Sequence, residues 1–159
     1  MNELRSVFLG PPPSTLAVAE SLTSGRLQAA IGAISGASDF FLGGITAYSI
    51  EQKARHLGVD PVQAAACDAV SPSIAALMAA GACRLFGSDF GVGTTGYAEP
   101  YPVHGVDHPF AYWAVAHQGR AVRGGRIDGP GLSRVAMQDA VVAEVLAALV
   151  SVVRSQRPG

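Results

Sequence analysis

The stretch Leu16-Ala17-Val18-Ala19-Glu20-Ser21-Leu22-Thr23-Ser24-Gly25 constrains this chain more than any other. A short apolar run stops at a carboxylate, a serine and a turn of small residues. A helical pattern then starts at Arg26-Leu27-Gln28-Ala29-Ala30-Ile31. A strand that enters a helix through small polar residues is where α/β proteins place anions and nucleophiles. The first helical turn carries unsatisfied backbone N–H groups aimed at that spot. Ser21 is therefore the first candidate for chemistry. A helix cap is the commoner role for such a hydroxyl, contributing about 1 kcal/mol.

The rest of the chain repeats the strand-and-helix alternation. Pro11-Pro12-Pro13 separates an N-terminal lead (residues 1–13) from the first strand, near residues 16–19. A helix over residues 23–34 stops at Ser35-Gly36, and a strand with an internal glycine pair, Gly43-Gly44, runs over 40–49. Such glycines mark a bulge or a close backbone approach. Two short helices follow, the first ended by Gly58 and the second begun by Pro61. Ser71-Pro72 opens a longer helix with Ile74, Leu77, Met78, Gly81 and Leu85 at helical spacing. Phe90, Val92 and Thr94 alternate with Gly91 and Gly93, a strand whose glycine face lies against another backbone. Two strands, over 110–116 and 121–127, pair through Gln118-Gly119-Arg120. A long helix from Ser133 carries a valine and leucine stripe, and residues 154–159 read as a frayed tail. This order predicts one three-layer α/β/α domain over residues 14–153, its mixed sheet parallel early and antiparallel late.

Composition narrows the function classes. The chain has 159 residues, a net charge of −1 and no basic cluster, which argues against a nucleic-acid partner. Only 14% of residues are charged and 49% are hydrophobic, so disorder is excluded and a homo-oligomer, a dimer in the simplest case, is expected. Cys67 and Cys83 form no CxxC pair and read as buried thiols. The N-terminus has neither the apolar core of a signal peptide nor a membrane span, which makes the cytoplasm the expected location.

Lys53 is the single lysine, placed just beyond a glycine-containing strand. A lysine acts as a general base when burial lowers its pKa; its ordinary fate is a solvated surface. Thr94-Thr95-Gly96 closes a strand at the sheet edge where Ser21 lies if the two strands are parallel. His104-Gly105-Val106-Asp107-His108 matches no metal spacing, and no G-x-S-x-G elbow, Walker loop or G-x-G-x-x-G fingerprint occurs.

Taken together, Ala19-Glu20-Ser21-Leu22-Thr23-Ser24-Gly25, then Phe41-Leu42-Gly43-Gly44-Ile45-Thr46-Ala47-Tyr48-Ser49 with Lys53 and Leu57-Gly58-Val59, then Ala69-Val70-Ser71 and Gly93-Thr94-Thr95-Gly96, resemble the CinA C-terminal domain family. The resemblance implies a nicotinamide-nucleotide amidohydrolase that converts nicotinamide mononucleotide to nicotinic acid mononucleotide and ammonia, within pyridine-nucleotide salvage. In that reading Ser21 is the nucleophile and Lys53, assisted by Tyr48, is the base. Backbone N–H groups near Thr23 and Ser24 hold the oxyanion, a term worth ~3 kcal/mol per donor. Glu20, Thr23, Ser24, Gly25, Gly43, Gly44, Thr95 and Gly96 would border the substrate, and no metal or cofactor is required.

Three places depart from the family pattern. Leu22 and Ser24 replace the usual Cys and Gly. Tyr97-Ala98-Glu99-Pro100-Tyr101-Pro102 replaces Ile-Ala-Gly-Pro and a glycine-rich loop. Closely spaced arginines at the start of the last helix are reduced to Arg134. A phosphate prefers bidentate, charge-assisted donors, and Glu99 would repel it. These departures keep two alternatives open: an amidase for a different small amide, and a noncatalytic oligomeric binding protein on the same fold.

Overall fold

The computed structural model describes residues 2–157. Five strands form one sheet in the order β2-β1-β3-β4-β5. β1 (Leu16–Glu20) lies between β2 (Phe41–Thr46) and β3 (Phe90–Tyr97) and is parallel to both. β4 (Phe110–His117) runs antiparallel to β3, and β5 (Arg120–Asp128) antiparallel to β4. The parallel half and the antiparallel half are therefore divided as the strand order predicts.

Helices cover both faces. On one side lie α1 (Asn2–Leu9), α2 (Arg26–Gly32) and α6 (Arg134–Ser155); on the other, α3 (Ile50–Leu57), α4 (Pro61–Ala66) and α5 (Pro72–Phe86). The two-residue period of β1 decides which side chain meets which layer. Leu16 and Val18 pack with α1, α2 and α6, while Ala17 and Ala19 pack with α3 and α5. α6 is long and apolar enough to cross a membrane by composition alone. In this fold its stripe of Met137, Val141, Val145, Leu149 and Val152 is buried against the sheet.

Gly91 and Gly93 let α5 settle directly on β3. A Cβ on Gly91 would stand 2.1 Å from Ala79 O, and one on Gly93 would stand 2.2 Å from Ala75 O. No side chain fits there. The glycine pair of β2 works similarly: the β1–β2 register shifts between Leu16 and Ala17, Gly43 takes φ +140°, and a Cβ there would meet the Phe86 ring at 3.0 Å.

Both chain ends differ from the sequence expectation. Residues 2–9, read from the sequence only as a lead, form a helix whose Leu4, Val7 and Phe8 are buried in the core. The expected tail is also held, up to the limit of the described residues. Arg154 pairs with Glu3 at 2.7 Å, and Arg157 donates to the carbonyls of Val7 and Gly10. Each end supplies the other's partners, an arrangement that a local reading of either segment does not contain. Pro158 and Gly159 lie outside the described residues.

Candidate active site

The carboxyl ends of the three parallel strands meet at one edge of the sheet, where ligands of open α/β sheets gather. Ser21 follows β1, Tyr48 and Ser49 follow β2, and Thr95 and Gly96 close β3. The turn after β1 is tied across to β3: Ser21 N donates to Thr94 O at 3.1 Å, and the hydroxyls of Thr23 and Thr94 are 2.8 Å apart. Thr23 is fully buried, so its side chain braces the turn and does not face a ligand.

Lys53 reaches Ser21 from the neighbouring layer. Ser49 caps α3, its Oγ accepting from Gln52 N, and Lys53 lies in the first turn behind that cap. Helical side chains lean toward the helix N-terminus. Its Nζ consequently donates to Tyr48 O at 2.9 Å and stands 3.0 Å from Ser21 Oγ. Both side chains are buried, Lys53 to 2% exposure and Ser21 to 8%. Burial lowers the Lys53 pKa to about 8, against an opposing pull from the Asp68 carboxylate. An amine at that pKa is neutral in a useful fraction near neutral pH, which suits it to take a proton from a hydroxyl.

Tyr48 enters through its main chain. Its ring is 56% exposed and its phenol lies 3.5 Å from Arg134 Nη1, so the carbonyl, not the hydroxyl, touches the lysine. The expected neighbourhood of Tyr48 and Lys53 is thus made by a main-chain oxygen.

Among the N–H groups from Ser21 to Gly25, three are committed. Ser21 N bonds Thr94 O, Ser24 N bonds Ser21 O, and Gly25 N bonds Glu20 Oε2. Those of Leu22 and Thr23 have no protein acceptor among the described residues. Of these two, Leu22 lines the cleft beside Ser21, whereas Thr23 is fully buried outside it, so the donor next to Ser21 is the Leu22 N–H rather than those of Thr23 and Ser24. Ser24 adopts φ +49° and Gly25 φ +91°, and this left-handed pair bends the turn into α2. Gln138 of α6 holds the turn from behind: its Nε2 donates to Leu22 O at 2.7 Å, and its Oε1 accepts from Arg26 Nε at 3.0 Å.

Several expected substrate contacts belong to the scaffold. Glu20 points away from Ser21, into the α2 layer, because alternate residues of a strand face opposite sides. Its buried carboxylate accepts from the N–H groups of Gly25, Leu27 and Gln28, which supplies the cap that α2 otherwise lacks. Gly43 lies against Phe86, and a Cβ on Gly44 would meet Gln28 and Val18 within 2.7 Å. Both are packing glycines away from the cleft.

Thr95 and Gly96, by contrast, form the wall of a cleft of about 240 Å3 that also contains Ser21 and Lys53. Asp68 and Ala69 also line it, both non-glycine residues at positive φ, 52° and 54°. Thr95 Oγ1 donates to Ala69 O at 2.6 Å and Tyr97 OH to Asp68 Oδ2 at 2.9 Å, so β3 holds this strained turn in place. Burial and the Asp68 hydrogen bond push the Tyr97 phenol up to about 12, which keeps it a donor.

Asp68, Tyr97 and Gln138 had no sequence signal, since each acts through a contact between distant elements. Among the described residues no group of His, Cys, Asp and Glu side chains is arranged to hold a metal ion. His104 lies 3.6 Å from Asp68, and His108 pairs with Asp128 at 2.9 Å.

Comparison with known proteins identifies the family of this fold. The family described as the CinA C-terminal domain matches residues 9–153. A Moorella thermoacetica protein described as competence-damage inducible is 52% identical over 100 residues, which are 63% of this chain and 24% of that protein. A CinA-like protein of Frankia casuarinae is 49% identical over 104 residues, 64% of this chain and 24% of its own length. The matches thus span about a quarter of these curated relatives. A crystal structure of a CinA superfamily protein from Klebsiella pneumoniae superposes with a TM-score of 0.88 at 26% identity, covering 96% of this chain and 94% of that one. By sequence match and by fold, the chain belongs to the CinA C-terminal domain family.

Proposed function

We propose that the cleft is the active site of a serine–lysine amidohydrolase acting on nicotinamide mononucleotide or a close relative, releasing ammonia and leaving the nicotinic acid form. The observation that carries this reading is the buried contact of Lys53 Nζ with Ser21 Oγ at 3.0 Å. Neutral Lys53 keeps one N–H on Tyr48 O and accepts the Ser21 proton on its lone pair. Ser21 Oγ adds to the carboxamide carbon, and the carbonyl oxygen becomes an oxyanion beside the N–H group of Leu22. Lys53 then returns the proton to the departing nitrogen as the C–N bond breaks, and ammonia leaves an ester on Ser21. A water, deprotonated by Lys53, cleaves that ester and restores the serine.

Incubating the purified protein with nicotinamide, nicotinamide riboside and nicotinamide mononucleotide, and measuring ammonia, tests the proposal. Release from at least one of the three is the expected result. Absence of release from all three, with a folded protein, overturns it.

A further inference from the structure

A second recess of about 300 Å3 adjoins the catalytic cleft, sharing Leu22, Tyr48, Asp68, Gly96 and Tyr97 with it. A molecule whose carboxamide reaches Ser21 has this recess as the space for its remaining atoms. Tyrosines line it: Tyr48, Tyr97 and Tyr101, the last stacked on His104 at 4.5 Å between centroids. Its charged walls are Asp68, Glu99 and Arg134.

Arg134 is already occupied. Its Nη2 lies 2.5 Å from Glu99 Oε1, and its Nη1 lies 3.5 Å from Tyr48 OH. Ser133 caps α6, its Oγ accepting from Ala136 N at 3.2 Å. A phosphate entering here would have to displace Glu99 from its arginine and then remain beside that carboxylate and Asp68. Phosphate binding draws on free charge-assisted donors, above all bidentate guanidinium. A flat cation meets the opposite conditions: two carboxylates against one arginine, and a lining of tyrosine rings, whose π electrons attract positive charge.

Building on the amidohydrolase reading, we propose that this recess selects a planar, cationic aromatic amide that carries no phosphate, and that Glu99 is the residue that disfavours the phosphorylated form. Nicotinamide riboside has these properties, its pyridinium nitrogen bearing the charge. The mononucleotide adds a phosphate to the same ring and sugar.

The test measures binding apart from turnover. Calorimetry on Ser21→Ala protein, with Glu99 intact and with Glu99→Gln, gives dissociation constants for the riboside and the mononucleotide at low salt. We expect the riboside to bind at least about tenfold tighter, a difference of ~1.4 kcal/mol. Glu99→Gln should tighten the mononucleotide at least about fivefold without tightening the riboside. Equal or tighter binding of the mononucleotide with Glu99 intact, a Glu99→Gln effect equal for both ligands, or binding of neither overturns the proposal. Ammonia release by the Ser21-containing protein separates the two readings. The expected binding ranking without ammonia rejects the amidohydrolase and leaves the selectivity standing. Ammonia released preferentially from the mononucleotide keeps the hydrolase and rejects the selectivity.

Discussion

Replacing Lys53 by methionine separates what the lysine does for chemistry from what it costs the fold. In the folded protein burial lowers its pKa from 10.5 to about 8, whereas the unfolded chain keeps the ordinary value. Below pH 8 the native state must hold an ammonium in a desolvated site, a cost of ~3 kcal/mol at 1.36 kcal/mol per pKa unit. Between pH 8 and 10.5 the unfolded chain binds more protons than the native one, so stability rises with pH. Above that window the penalty is gone. Lys53→Met lacks the titrating group but has a similar stem. The stability of the wild type relative to Lys53→Met should therefore improve by about 2.5 kcal/mol between pH 7 and pH 10. Chemical denaturation of both proteins at a series of pH values reads this directly. The hydrogen bonds lost to Tyr48 O and Ser21 Oγ shift the curves by a constant and leave the slope difference intact. The same pKa predicts that kcat/KM rises about tenfold from pH 7 to pH 9, as the neutral fraction of Lys53 grows from about a tenth to about nine tenths. Parallel stability curves for the two proteins would refute the depressed pKa, and with it the argument for Lys53 as base.

Other outcomes follow from particular contacts. Tyr48→Phe keeps the carbonyl that holds Lys53, so kcat should stay within about threefold of wild type; a loss of a hundredfold would instead assign a chemical role to the phenol. Gly93→Ala puts a methyl 2.2 Å from Ala75 O on an adjoining helix and should destabilise the protein by about 3 kcal/mol, read as a fall in denaturation midpoint. Gln138→Ala removes the donor to Leu22 O and loosens the oxyanion turn. It should lower kcat about tenfold with KM nearly unchanged, whereas a KM effect alone would assign Gln138 to substrate binding.

What could be read from the residues, and what could not, divides along physical lines. The position of Ser21 and the helical phase of Lys53 are local: a strand that alternates faces and a helix that starts at Ser49 suffice to direct both side chains into one layer boundary. Gly91 and Gly93 likewise announce a close backbone approach, because nothing else removes every side chain from one strand face. The Tyr48 carbonyl is different, since any residue at that position supplies the same oxygen. Glu20 next to Ser21 invites a shared role, yet strand parity sends its carboxylate to the α2 N-terminus. The left-handed turn at Asp68 and Ala69 carries no glycine to mark it; it is held by Thr95 and Tyr97 from another strand. Helix α1 is short, and its burial depends on α6 at the far end of the chain.

Ammonia release by wild type, Ser21→Ala and Lys53→Met, assayed side by side on the best substrate of the nicotinamide series, tests the central claim most directly. A nucleophile and base that act as one unit predict that each single replacement lowers kcat by at least about a thousandfold, and that the double replacement lowers it little further. Either variant retaining activity within tenfold of wild type would contradict the serine–lysine mechanism.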